Sequence, residues 1–400
     1  MAESAGRPAL PPLWLLVTMM FAGQLAVTIF LPSLPSMEAA LGTSQAAIKL
    51  TISAYLGAFA LAQLVVGPLS DRYGRKRPLL IGMALFTVAS FVCAAAPTAE
   101  VLIGARVAQA IGACAGIVIT RAIIRDTTEG ASATRALAYM GMALGAGPAM
   151  APLIGGQIEH WLDWRASFYA TAIMGMIVFA AALATLRETL PPEARRVTGG
   201  RTLALTYVRL LRMPVYMGYS MGTGVLSAAF QAFLAGAPFV LITLKGVPPE
   251  LLGFYTLPVP VAFIITNGLA GWLSRRLRRH TVIWIGYACS LSGTFALVAL
   301  SLLGLDTPNA MLVPLFVYSA GAGFLLPNCL AGALEAVEPP VAGSASALGG
   351  FIQMGSGFVS TTVIAAIVLT SFFELASVMA ICAVLACACF CVLVLPRHCA

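Results

Sequence analysis

Apolar positions along this chain come in runs of about 20 residues separated by short polar segments, without the every-other-residue alternation of a half-buried strand. A run of that length is what a helix needs to cross a bilayer, and residues apolar on all sides fit a helix set among lipid and other helices. Twelve runs are read, at about 13–31, 46–66, 78–96, 101–124, 137–158, 166–186, 215–234, 251–273, 281–303, 310–334, 342–369 and 375–395. The predicted fold class is all-α integral membrane, with twelve transmembrane helices. The first run lacks a small-residue cleavage site and leads into Leu31-Pro32-Ser33-Leu34-Pro35, so it reads as a retained span.

Composition agrees with the pattern. The chain is 60% hydrophobic and 10% charged, with mean hydropathy +0.93, far less charge than a soluble domain carries. The net charge of +8 would raise nucleic acid in a soluble protein, but here the basic residues sit in short loops, where they meet lipid headgroups and set orientation. With the amino terminus in the cytoplasm, 19 of the 23 Lys and Arg fall inside. The others are Lys49, Arg165 and Lys245 outside and Arg106 within a span. An even span number then puts both termini in the cytoplasm.

The longest polar connection, with Pro191-Pro192, Arg195-Arg196 and Gly199-Gly200, divides the spans six and six. The expected organisation is a bundle over 1–190, a cytoplasmic linker over 191–213 and a second bundle over 214–400. Gly67-Pro68-Leu69-Ser70-Asp71-Arg72 after span 2 is echoed by Gly271-Trp272-Leu273-Ser274-Arg275-Arg276 after span 8, and the Gly-rich run 141–156 is answered by 343–357. Two repeated bundles with a path between them are the arrangement of a secondary transporter.

Several positions carry candidate chemistry. Five charges between Asp71 and Arg77 cannot lie in hydrocarbon, so that segment is a turn at the cytoplasmic surface. Gly67 lets helices approach, and Asp71 is expected to accept hydrogen bonds from the start of span 11, near Gly343 and Ser344. In span 5, Pro148 and Pro152 kink the helix while Gly147, Gly155 and Gly156 admit a close partner. Arg106 needs a partner to lie inside a span, and Gln109 is three residues on along the same face. The eight cysteines inside apolar runs read as small hydrophobes, and Cys399 lies in the tail. His160, His280 and His398 sit in loops or the tail and no phosphate-binding loop occurs, so neither an enzyme nor a cofactor or metal site is expected.

Gly67-Pro68-Leu69-Ser70-Asp71-Arg72-Tyr73-Gly74-Arg75-Lys76 resembles the loop signature of the major facilitator superfamily. Arg106 with Gln109 and Ile111-Gly112-Ala113 is similar to its span-4 pattern, and Gly147-Pro148 with Ala151-Pro152-Leu153-Ile154-Gly155-Gly156 to the antiporter signature of drug exporters. Leu31-Pro32-Ser33-Leu34-Pro35, Arg121-Ala122-Ile123-Ile124-Arg125-Asp126 and Gly343-Ser344-Ala345-Ser346-Ala347-Leu348 resemble the Bcr/CflA drug-resistance branch. The resemblance implies two pseudo-symmetric six-helix bundles. It also implies a latch of Gly67, Asp71, Arg72, Gly74 and Arg75 that holds the outward-facing form, and a path lined by spans 1, 4, 7 and 10.

Path candidates on those spans are Gln24, Thr28, Arg106, Gln109, Phe230, Gln231, Tyr318 and Asn328, each with interhelical hydrogen bonding as the alternative role. Thr28 stands where many such exporters have an aspartate, which leaves Asp126 as the proton-coupling candidate or Arg106 as a direct anion ligand. The implied activity is proton-coupled export of drugs or small amphiphiles from a bacterial cytoplasm, by a monomer in the inner membrane. The alternative is a carrier of an anionic metabolite or siderophore. The expected partners are a small molecule, protons and lipid, and not nucleic acid.

Overall fold

The computed structural model describes residues 10–128, 130–195, 199–338 and 341–397. Both chain ends, with His398 and Cys399, and hence the expected side of each terminus, lie outside the described residues. Among those described, all regular structure is helical. α1 (Leu13–Thr28), a 3-10 turn at Leu31–Ser33 and α2 (Leu34–Ala40) make the first crossing. α1 stops there because Pro32 has no N–H to donate to the Thr28 carbonyl. α3 (Gln45–Tyr73), α4 (Lys76–Ala94), α5 (Ala99–Thr127), α6 (Gly130–Trp161) and α7 (Trp164–Thr185) complete the first six crossings.

After α8 (Gly200–Leu211) comes α9 (Pro214–Pro238), prolonged by a π-helical segment at Phe239–Leu244. α10 (Leu252–Thr256) with α11 (Pro258–Leu273) forms the eighth crossing, and α12 (Arg279–Leu302), α13 (Leu312–Glu335), α14 (Ala342–Ala366) and α15 (Phe372–Leu393) the last four. Eleven crossings are long and apolar enough for a bilayer, and α6, with 32 residues, is the twelfth. Helix starts carry the expected caps: the Ser44 hydroxyl accepts from Ala47 N at 3.2 Å, Asp163 from Ala166 N at 3.0 Å, and Ser371 with Glu374 forms a capping box.

Hydropathy ends the second span near Val66, yet α3 continues through Pro68 and Asp71 to Tyr73. Charge sets where hydrocarbon stops and leaves the backbone hydrogen bonds of a helix intact, so the expected loop shrinks to Gly74 and Arg75. Gly74 has φ +90°, a left-handed conformation that glycine adopts without a Cβ penalty. The linker likewise contains a helix, α8, where the sequence suggested only a connection.

The equivalent helix pair of each half is packed through glycines. Gly82 and Gly112 bring α4 against α5, and Gly286, Gly293 and Gly321 bring α12 against α13. Small residues of this kind replace the hydrophobic drive that lipid removes. α6 has two working faces: Gly147 packs on Gln24 and Gly155 on the Ile29 carbonyl of the same bundle, whereas Gly145 meets Ile264 and Gly156 meets Pro249 and Glu250 of the other. A Cβ on Gly155 would collide with backbone, which cannot rotate aside. Gly155→Ala is therefore expected to cost about 1–3 kcal/mol, read as a lower melting temperature in detergent. Gly141→Ala, whose Cβ would enter open space, should be neutral or slightly stabilising; equal effects of the two would refute the packing argument.

Candidate functional site

Where α3 and α5 end and α4 begins, Arg75 organises a polar cluster. Its Nη1 donates to Asp71 Oδ1 at 2.5 Å and to Ser70 Oγ at 2.7 Å, and its Nε to Asp126 Oδ2 at 2.8 Å. Glu188, just past α7, accepts from the Arg75 backbone N at 2.7 Å and from Leu190 N at 3.0 Å, so the start of the linker is tied to the turn. Burial alone would weaken the hold of Arg75 on its proton, but hydrogen bonds and charge from Asp126 and then Asp71 outweigh it and raise the pKa above the ordinary arginine value.

Asp71 thus pairs with Arg75 in its own bundle and not with the start of α14 near Gly343 and Ser344, as expected from the sequence. A Cβ on Gly67 would meet only Val118 of the same bundle, at 4.0 Å, so this glycine marks no approach of the second bundle here. Arg72 lies over the ring of Tyr73, 5.2 Å from its centroid. Asp126, the coupling candidate, is held in the Arg75 ion pair.

Arg106 and Gln109 do meet, but inside the first bundle. Arg106 is fully buried; its Nη1 donates to Gln109 Oε1 at 2.6 Å and to the Ala26 carbonyl at 2.8 Å. Gln109 Nε2 donates in turn to Ser90 Oγ at 2.7 Å. The guanidinium lies over Tyr55 at 4.2 Å, Phe30 at 4.4 Å and Phe168 at 6.0 Å from the ring centroids, so ring quadrupoles do what a carboxylate would otherwise do. Its Nε and Nη2, and the Thr28 hydroxyl nearby in sequence to Phe30, have no hydrogen-bond partner among the described residues.

The two bundles touch towards the Arg75 cluster, where Gly350 of α14 packs on Gln63 of α3 and Gly343 lies near Arg125, and again on the side opposite the cluster. Ser53 Oγ donates to Thr361 Oγ1 at 2.9 Å between α3 and α14, Gly57 packs on Phe358 and Gly253 on Leu153, and His160 lies 3.7 Å from Glu250. Lys49 bridges the same seam. Fully buried, its Nζ donates to Gln45 Oε1 at 2.7 Å and to the Ile364 carbonyl at 3.3 Å, and it stands 4.9 Å from the Phe239 ring centroid. Lys49→Met keeps the volume and removes a buried charge that makes no salt bridge among the described residues. It is expected to stabilise this closed seam, raising the melting temperature while slowing turnover several-fold; a faster transporter would contradict it.

The other path candidates divide. Gln24 is half-buried against α6, and Gln231 packs against Gly357 of α14. Phe230 is half-exposed. Tyr318 donates to the Leu226 carbonyl at 3.0 Å, and Asn328 accepts from Ser274 Oγ at 3.0 Å; both are buried in the second bundle as interhelical bonds. Sequence reasoning missed the roles of Lys49, of the aromatic enclosure of Arg106, and of Arg121, which was counted only among the basic residues on the inner side. Arg121 is exposed, and among the described residues it pairs with no carboxylate. The i, i+4 spacing from Gln45 to Lys49 was the readable signal for the first; the rings come from three separate spans and left none.

The family model described as Major Facilitator Superfamily matches residues 16–361. The chain is 30% identical over 356 residues to multidrug resistance protein D of Escherichia coli (strain K12), covering 87% of each. It is 32% identical over 329 residues to the chloramphenicol resistance protein of Pseudomonas aeruginosa, covering 81% of this chain and 76% of that one. Among solved structures it is similar to a D-xylose-proton symporter, with TM-score 0.74 at 15% identity over 94% of this chain and 96% of the other. A peptide transporter gives TM-score 0.75 at 14% identity over 99% and 97%.

Proposed function

The chain belongs to the Major Facilitator Superfamily, a multi-pass membrane transporter and not an enzyme, and from that premise we propose that it exports drugs or related small amphiphiles across a bacterial inner membrane. The observation that carries the reading is the difference in side-chain bonding between the two sides of the bundle interface. The bundles close on each other through Lys49, Ser53 and Gly253 at one side, while the Arg75 cluster at the other side keeps its bonds within one bundle. In this reading the side bonded through Lys49 and Ser53 is the outer one, with both termini in the cytoplasm as the charge distribution suggests. Relatives named for multidrug and chloramphenicol resistance support an amphiphilic cargo.

Coupling runs through the Arg75 cluster in this reading. Protonation of Asp126 would weaken its bond to Arg75 and loosen the tie of α5 to the turn between α3 and α4, which links proton binding to movement at that end of the bundle. The test is transport in proteoliposomes with an imposed pH gradient, using a panel of amphiphilic drugs. Uptake that follows the gradient and collapses with a protonophore is the expected result. Gradient-independent transport, or Asp126→Asn retaining full coupling, would overturn the proton route. One observation favours the second reading, an anion carrier: Arg121 is an exposed cation without a carboxylate partner among the described residues. Transport of anionic substrates alone, lost in Arg121→Gln, would establish it instead.

A further inference from the structure

α8 carries apolar side chains on two opposite faces. On one, Leu210 is buried and Tyr207 donates its hydroxyl to the Leu64 carbonyl of α3 at 3.1 Å. That carbonyl has lost its helical donor because Pro68, four residues on, has no N–H. On the other face Leu205, Val208 and Leu211 are 61%, 44% and 49% exposed, with exposed Arg201 and Arg212 at its two ends. Apolar residues flanked by arginines on one helix face are the composition of a helix lying in a membrane interface.

The Tyr207 bond fixes the depth. Hydropathy along α3 falls at Val66, two residues on, so Leu64 lies about 3 Å of helix rise inside the edge of the hydrocarbon. A tyrosine side chain away from Leu64, α8 stands at the boundary between acyl chains and headgroups. Its neighbours on α3, Leu61 and Val65, are exposed large hydrophobics that in a membrane protein meet lipid, so the apolar face of α8 continues a lipid-facing surface. We propose that α8 is an interfacial helix, its Leu205–Val208–Leu211 face seated in the inner leaflet and Arg201 and Arg212 bound to anionic headgroups. Through Tyr207 it would fasten the kink of α3 to the membrane surface.

Hydrogen–deuterium exchange of the full-length protein in nanodiscs tests this, comparing phosphatidylcholine alone with phosphatidylcholine containing phosphatidylglycerol. Amides of α8 should exchange about tenfold more slowly in the anionic discs. The slowing should vanish in Arg201→Gln/Arg212→Gln and in Leu205→Ser/Val208→Ser, while α4 and α12 keep their protection in both. Equal exchange of α8 in the two lipids would overturn the proposal. So would protection that follows the number of copies per disc and not lipid charge, because a second chain would then be covering the face.

Discussion

Arg75→Leu should lower stability by about 3 kcal/mol and abolish transport. Removing one partner of a buried ion pair costs about 3–5 kcal/mol, because the other is left charged and poorly solvated. The lower end applies because the Asp71 side chain is 43% exposed and can turn to water, whereas Asp126 is 15% exposed and cannot do so fully. Three links fail together: α3 loses the Asp71 and Ser70 bonds to the turn, α5 loses its tie through Asp126, and the leucine leaves both carboxylates facing each other. Arg75→Lys should be intermediate, since one ammonium cannot reproduce the Nε and Nη1 geometry at two carboxylates. Thermal unfolding in detergent, with transport on the same preparations, measures both effects. A melting temperature within about a degree of wild type for Arg75→Leu would mean that the cluster is a surface decoration. The double variant Arg75→Leu/Asp126→Asn should recover part of the loss, as neighbours sharing one network are not additive.

The twelve crossings were legible because hydrocarbon imposes one rule on every residue of a span, and that rule is written locally. The charged turn was legible in place but not in form. Hydropathy falls at Val66, while the backbone of α3 stays helical to Tyr73, since arginines and aspartates are tolerated in a helix once it leaves the bilayer. α8 was hidden for the opposite reason: it is only 12 residues long, too short for a span, and its apolar residues are interleaved with Arg201, Arg209 and Arg212. Of the candidate site, pairs close in sequence could be read, such as Arg106 with Gln109. What surrounds them could not. Phe30, Tyr55 and Phe168 come from three helices, and only tertiary packing places them on one guanidinium.

The enclosure of Arg106 leads to the other large effect. Its charge is fully buried, with no carboxylate partner among the described residues and two of its nitrogens making no hydrogen bond to them, so its contribution to stability is smaller than its contacts suggest. Arg106→Met fills a similar volume, keeps contact with the three rings and removes the desolvated charge. It should leave the melting temperature unchanged or raise it, with Gln109 turning its Oε1 to a new donor or to water. Arg106→Lys should be less stable than Arg106→Met, because a compact ammonium cannot lie flat over Tyr55 and Phe30 while also reaching Ala26 and Gln109. Transport should fall at least about tenfold in Arg106→Met despite the intact fold, because a cation this costly to bury is retained for function more readily than for stability. Were Arg106→Met to unfold, the guanidinium would be a structural brace. Were it stable and fully active, neither proton coupling nor substrate would depend on this charge, and the unpartnered Nε and Nη2 would have no part in transport.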